Sequence, residues 1–225
     1  MKLSFSAPLP PVKIVAVASI RLLPALFACW LLSGCASPLL DIINRKHSRA
    51  FTTYWPPAKG DTRLRLAVKD LIDVKGAVTT AGSGYLATSG TPATRDAACL
   101  RIARSRPDVV IVGKTNLTEF AVTVSGRNNH FGTPVNLWDG EHKAIPGGSS
   151  SGSAVAIQRG LADVAFGTDS GGSIRVPAAC CGIYGLKTTY GLISTRGLFP
   201  VSPEHLDTVG PMAADIPRLV QGMEL

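Results

Sequence analysis

AIPGGSSSGSAVAIQRGLADVAFGTDSGGSIRVPAACCGIYGLK, residues 144–187, carries two Gly/Ser clusters, Gly147–Ser153 and Gly167–Ser173, on either side of an apolar stretch. Between them Ser153–Leu161 predicts a helix and Val164–Phe166 a short strand. A flexible spacer accounts neither for that alternation nor for Asp169 and the return of Gly-Gly-Ser, because Gly/Ser spacers need no core partner and no charge. A phosphate-cradling loop requires GxxxxGK[ST]. Gly147 and Gly152 have that spacing, but Ser153 stands where the lysine would be, and neither cluster gives GxGxxG.

The flanking sequence keeps alternating. Leu64–Val68 predicts a strand that runs into Lys69-Asp70, and Val109–Val112 a buried β-branched strand. Thr91-Pro92 opens a helical stretch, Ala93–Arg104, which Pro107 stops. Asn116, with Glu119 three residues on, predicts an N-capped helix through about Val122. Ser173–Ala179 predicts a helix containing Pro177, Ile183–Leu186 a strand, and Ala213–Met223 a last helix broken by Pro217. Strands alternating with helices imply an α/β domain with a mostly parallel or mixed sheet.

Serine is a weak nucleophile and needs a base. Two serine chemistries fit. Gly148–Gly152 matches GxSxG and makes Ser150 a candidate nucleophile of an esterase, with Asp163 or Asp169 and then His205 downstream; residues 141–146 are a poor strand to precede such an elbow. The alternative is a serine with a lysine base, since burial disfavours the charged amine and lowers its pKa. Lys69 closes the apolar run LRLAV, where burial is expected, and a second serine can relay the proton. Bare glycine backbone before the nucleophile can turn N–H groups toward a developing oxyanion.

Residues 144–187, together with LAVKDLIDVKG (66–76), VGKTNLTEFA (112–121) and HLDTVGPM (205–212), resemble the amidase signature family, over roughly Leu64–Met223. The resemblance implies an α/β fold, a mixed sheet flanked by helices, and hydrolysis of carboxamide C–N bonds by a Ser–cis-Ser–Lys triad without metal or organic cofactor. It makes Ser173 the nucleophile, Ser149 the bridging serine after a cis Gly148–Ser149 bond, and Lys69 the base. The backbone N–H groups of Ser170, Gly171, Gly172 and Ser173 would form the oxyanion hole. Lys75 and Lys114 are rivals that the resemblance leaves outside the triad. Asp169 and Arg175 are read as a pair bracing the loop, and Ser150, Ser151 and Ser153 as loop or helix-cap groups. Family members run longer than this chain, so an incomplete domain over residues 61–225 is expected, with a catalytically dead remnant or a binding module as the alternative function. The implied partner is a small-molecule amide; the family's aliphatic, aryl, fatty, allophanate and tRNA-linked amides stay open.

Composition bounds the rest. Charged residues make up 17% and hydrophobic ones 45% of the 225, which excludes a disordered chain. The net charge of +8 falls to +5 without residues 1–34, no run of five Lys/Arg occurs, and nucleic acid is not expected as a partner. Residues 1–34 combine Lys2, Lys13 and Arg21 with the apolar run Leu22–Leu32, as export leaders do. Leu32-Ser33-Gly34-Cys35 resembles a bacterial lipobox with Cys35 as the lipidated residue. That predicts the periplasmic side of a bacterial cell envelope, with membrane contact through the N-terminal anchor alone; without a working leader the chain stays cytoplasmic. Residues 35–60 read as a tether and lead-in. Cys99, Cys180 and Cys181 support no disulfide framework, and no metal-ligand spacing occurs.

Overall fold

Three apolar runs, the last of them leading into the second Gly/Ser cluster, build the centre of the sheet. In a computed structural model, which describes residues 48–138 and 143–225, they are β2 (Leu64–Lys69), β3 (Val109–Thr115) and β4 (Val164–Asp169). With β1 (Phe51–Tyr54), β5 (Tyr184–Gly185) and β6 (Thr208–Ala213) they form one sheet of order β1-β3-β2-β4-β6-β5. β2 runs parallel to both β3 and β4, while β1, β5 and β6 pair antiparallel, so the sheet is mixed as expected.

The period-two alternation of β2 divides the core. Ala67 joins one cluster with Ala154, Val155, Ala156 and Ile157 of helix α3 (Ser151–Gln158) and Ala178 of α4 (Arg175–Cys181). Leu66 and Val68 point the other way, to Leu100, Ala103 and Leu225. On that face lie α2 (Arg101–Ser105) and α5 (Ile216–Met223), while α1 (Gly84–Ser89) belongs to the long β2–β3 connection. α3 is buried almost all round, as its apolar and small residues require.

Several local expectations change. Residues 93–97 are not helical, because Ala93 and Ala97 exchange backbone hydrogen bonds with the 73–77 loop; helix begins only with a 3-10 turn at Ala98. The Asn116 helix does not form. Its amide donates to Arg49 O (3.0 Å) and Gly132 O (2.8 Å), tying two distant loops, and only a 3-10 turn Glu119–Ala121 follows, with Phe120 at φ 51°. Pro177 and Pro217 break nothing, since each sits in the first turn of its helix, where no backbone donor is missed. Asp215 caps the last helix by accepting from the Arg218 N–H at 2.8 Å. β1 lies inside the stretch read as lead-in. β6 contains Pro211, whose carbonyl accepts from Leu186 N–H on the outer side, so its missing N–H also faces away from β4. The leader and Cys35 lie outside the described residues.

Candidate functional site

Parallel β2 and β4 end side by side, and ligands of open α/β sheets gather at such carboxyl ends. Lys69 is the last residue of β2 and is fully buried. Its Nζ lies 2.8 Å from Ser149 Oγ, 2.7 Å from Thr168 Oγ1 and 3.4 Å from the Thr168 carbonyl. Burial lowers the amine pKa to about 7, against the opposing pull of Asp169 and Asp207. A lysine held among hydroxyls, with no carboxylate in contact, can be neutral near neutral pH.

Ser149 follows a cis peptide bond from Gly148. The bond is gripped from both sides. Thr118 N–H donates to Ser149 O at 3.1 Å, and the next residue's N–H, Ser150, donates to Ser173 O at 3.1 Å. Gly148 packs backbone to backbone against Gly126: a Cβ on Gly148 would fall 2.7 Å from Gly126 N. The first Gly/Ser cluster is therefore a tight seam ending at the N-terminus of α3.

The second cluster folds around Asp169. Its buried carboxylate accepts from Gly172 N–H (2.7 Å), Ile174 N–H (3.1 Å) and Arg175 N–H (3.4 Å). Arg175 closes on both carboxylate oxygens at 3.0 Å. Burial alone would raise this carboxyl pKa; Arg175 and the amides hold it down to about 2. The expected brace is thus present, and it alters one other expectation. Gly172 N–H is turned inward to Asp169, so of the four amides expected to converge, those of Ser170, Gly171 and Ser173 remain without an acceptor among the described residues.

Ser173 is 7% exposed and opens, with Ser170 and Gly171, onto a cleft of about 480 Å³. Ser170 donates from its hydroxyl to Asp207, whose carboxylate also accepts the Val201 (3.0 Å) and Ser202 (2.9 Å) amides on the far side of that cleft. Ser150, by contrast, is fully buried, follows no strand and turns its hydroxyl to the Thr168 carbonyl at 3.3 Å. His205 is exposed beside Glu204 and touches neither Ser150 nor an acidic partner of it. The GxSxG reading has no geometry behind it.

Of the rival lysines, Lys114 is also buried but lies 2.7 Å from Asp70, in a nest with Thr52, Thr79 and Thr80. Lys75 stays at the exposed surface. Thr168, Asp207 and Gly126 were not singled out from the sequence. Thr168 and Asp207 lie inside the quoted stretches 144–187 and 205–212, and that membership was the available signal. Gly126 becomes intelligible only when Gly148 is placed against it. Among the described residues no three His, Cys, Asp or Glu side chains gather as a metal site. Cys99, Cys180 and Cys181 are free thiols.

A family model described as Amidase matches residues 62–224. A glutamyl-tRNA(Gln) amidotransferase subunit from Deinococcus radiodurans is 46% identical over 148 residues, 66% of this chain and 30% of that protein. Among solved structures, the glutamyl-tRNA(Gln) amidotransferase subunit from Thermotoga maritima matches with a TM-score of 0.72 at 34% identity, over 83% of this chain and 42% of its own. The peptide amidase of Stenotrophomonas maltophilia matches with a TM-score of 0.68 at 35% identity, over 79% of this chain and 40% of its own. The chain spans about a third of the length of the curated relatives it matches.

Proposed function

Because the chain belongs to the amidase signature family, we propose that it hydrolyses a carboxamide C–N bond, with Ser173 as nucleophile, Ser149 as proton relay and Lys69 as base. The observation that carries this reading is the buried Lys69 amine, lowered to about 7 and 2.8 Å from Ser149 Oγ. Ser173 Oγ attacks the carbonyl carbon. Its proton passes to Ser149 as the Ser149 proton passes to Lys69. The oxyanion is met by the Ser170, Gly171 and Ser173 amides, one such donor being worth about 3 kcal/mol. The C–N bond breaks as the proton returns by the same path to the leaving nitrogen, which departs as an amine or ammonia. Water then adds to the seryl ester, giving up its proton along the relay, and the carboxylic acid leaves with Ser173 restored.

A fluorophosphonate probe tests the assignment. It should modify Ser173 in the wild type and in Ser150→Ala, and Ser173→Ala should lose both labelling and amide hydrolysis. Hydrolysis that survives Ser173→Ala overturns it. We read the leader as delivering this domain to the periplasmic side of a bacterial envelope, anchored through lipid on Cys35. Palmitate incorporated by the wild type and not by Cys35→Ala supports that reading; a wild-type chain without lipid defeats it.

A further inference from the structure

The cleft beside Ser173 is walled by Ala121, Val122 and Val124 on one side and by Val201 and Leu206 on the other. These side chains are out of proportion to an ordinary surface: Val122 is 72%, Val124 48%, Val201 41% and Leu206 50% exposed, and all four face one small space. Scattered apolar residues on a surface need no explanation, but a contiguous set beside a nucleophile does. No charged side chain lines this cleft. In the 201–206 loop Glu204 and His205 are exposed, 3.9 Å apart and outside the lining, and the two buried acids beside the cleft are committed. Asp169 is consumed by Arg175 and the amides of its own loop, Asp207 by Ser170 and the Val201 and Ser202 amides. Of the polar wall groups, the Thr123 hydroxyl is paired with Ser125 at 3.0 Å.

Resting on the reading of Ser173 as nucleophile, we infer that this cleft seats an uncharged apolar acyl group, branched aliphatic or aryl, and that the substrate is the amide of such an acid rather than an amino-acid-like or anionic amide. An ammonium or carboxylate carried past the Ser170 and Gly171 amides, against residues 121–124 and 201–206, would lose hydration and meet no charged side chain of the lining, which is strongly unfavourable. An apolar group of similar size would cover the four exposed side chains and gain from their burial. The neighbouring free amides of Ser170 and Gly171 belong to the same cleft, so the group seated there is continuous with the carbonyl that Ser173 attacks. Residues 121–124 and 201–206 are accordingly the specificity wall, made by two loops that no catalytic step uses.

The test compares five substrates on the full chain: isobutyramide, hexanamide and phenylacetamide against L-glutamine and malonamate. The expected result is a kcat/KM for the best uncharged amide about 100-fold or more above either charged one, the order of discrimination that an unpartnered polar group imposes. Val122→Asp and Leu206→Asp, both on exposed loop positions, should each lower kcat/KM for that amide by about tenfold or more, while fluorophosphonate labelling of Ser173 persists. Equal use of charged and uncharged amides, or wall variants without effect, overturns the specificity wall while labelled Ser173 keeps the nucleophile assignment standing. A wild type with no labelling and no turnover of any amide overturns the nucleophile assignment and the wall with it.

Discussion

A neutral primary amine has two hydrogens and one lone pair. The Thr168 carbonyl beside Lys69 can only accept, so it takes one hydrogen; if Thr168 Oγ1 takes the other, the lone pair is left for the proton of Ser149. Thr168 is then a positioning residue. Thr168→Val, nearly the same shape, should lower kcat by about tenfold to a hundredfold with little change in KM, and Thr168→Ser should restore most of it. The pH profile checks the base itself. The working form is the deprotonated one, so the rate should rise with pH through about 7 and then level off, as fits a Lys69 pKa lowered by burial. A rate flat across that range would count against a lysine base. At this scale the sequence was informative for one reason and silent for another. An apolar strand ending in lysine announces burial, but LRLAVK and the VGKT of β3 announce it equally well. Lys114 is as buried as Lys69; what separates them is the partner, a carboxylate for one and hydroxyls for the other, and partners come from distant segments.

The loop from β4 to α4 is an element organised by one carboxylate. Asp169→Asn keeps the size but puts an amide nitrogen where an oxygen must accept. We expect a loss of roughly 2–4 kcal/mol in urea unfolding, mostly from the buried backbone bonds, because Arg175 is half exposed and its pairing is screened. The linkage has a definite sign. Asp169 titrates at about 2 in the fold against an ordinary 3.8, so its stabilisation is full above the ordinary value and is lost as pH falls through about 2. The variant should lack that part of the acid transition. Elements whose own residues carry the pattern were legible in advance: β2, α3 and the start of β4 follow from their apolar runs. Those that failed depend on remote groups. The capping pattern at Asn116–Glu119 is sound in itself, yet the Asn116 amide is worth more bridging Arg49 and Gly132 than starting a helix. β6 was hidden by Pro211, which is harmless only because the two-residue β5 leaves that side of the strand nearly an edge.

Across the whole molecule, one sheet is covered on both faces, and its most committed polar contact is the Asp70–Lys114 pair joining the ends of β2 and β3. Removing one member of such a pair strands the other in a dry interior. Asp70→Asn should therefore destabilise the fold by about 3 kcal/mol or more, visible as a Tm lower by roughly 6–12 °C in a scanning calorimeter. An unchanged Tm would mean that the Thr79 hydroxyl and the Val78 carbonyl suffice to hold Lys114. The mixed α/β architecture was legible from the order of segments, and the two parallel neighbours that carry the site follow from it. Of the antiparallel additions, Tyr184–Gly185 lies inside the strand expected at 183–186, whereas FTTY carries too little pattern to be distinguished from loop.

The amine at the end of β2 has a last consequence, for calorimetry of the refolding chain. In the open chain it titrates near 10.5, in the fold near 7, so between those values the native form binds fewer protons and gains stability as alkalinity rises. Refolding near pH 8.5 should eject about one hydrogen ion from this group into the medium. The difference in its heat between Tris and phosphate should then change, in a Lys69→Met chain, by about one proton's worth of the gap between the two buffers' ionisation enthalpies.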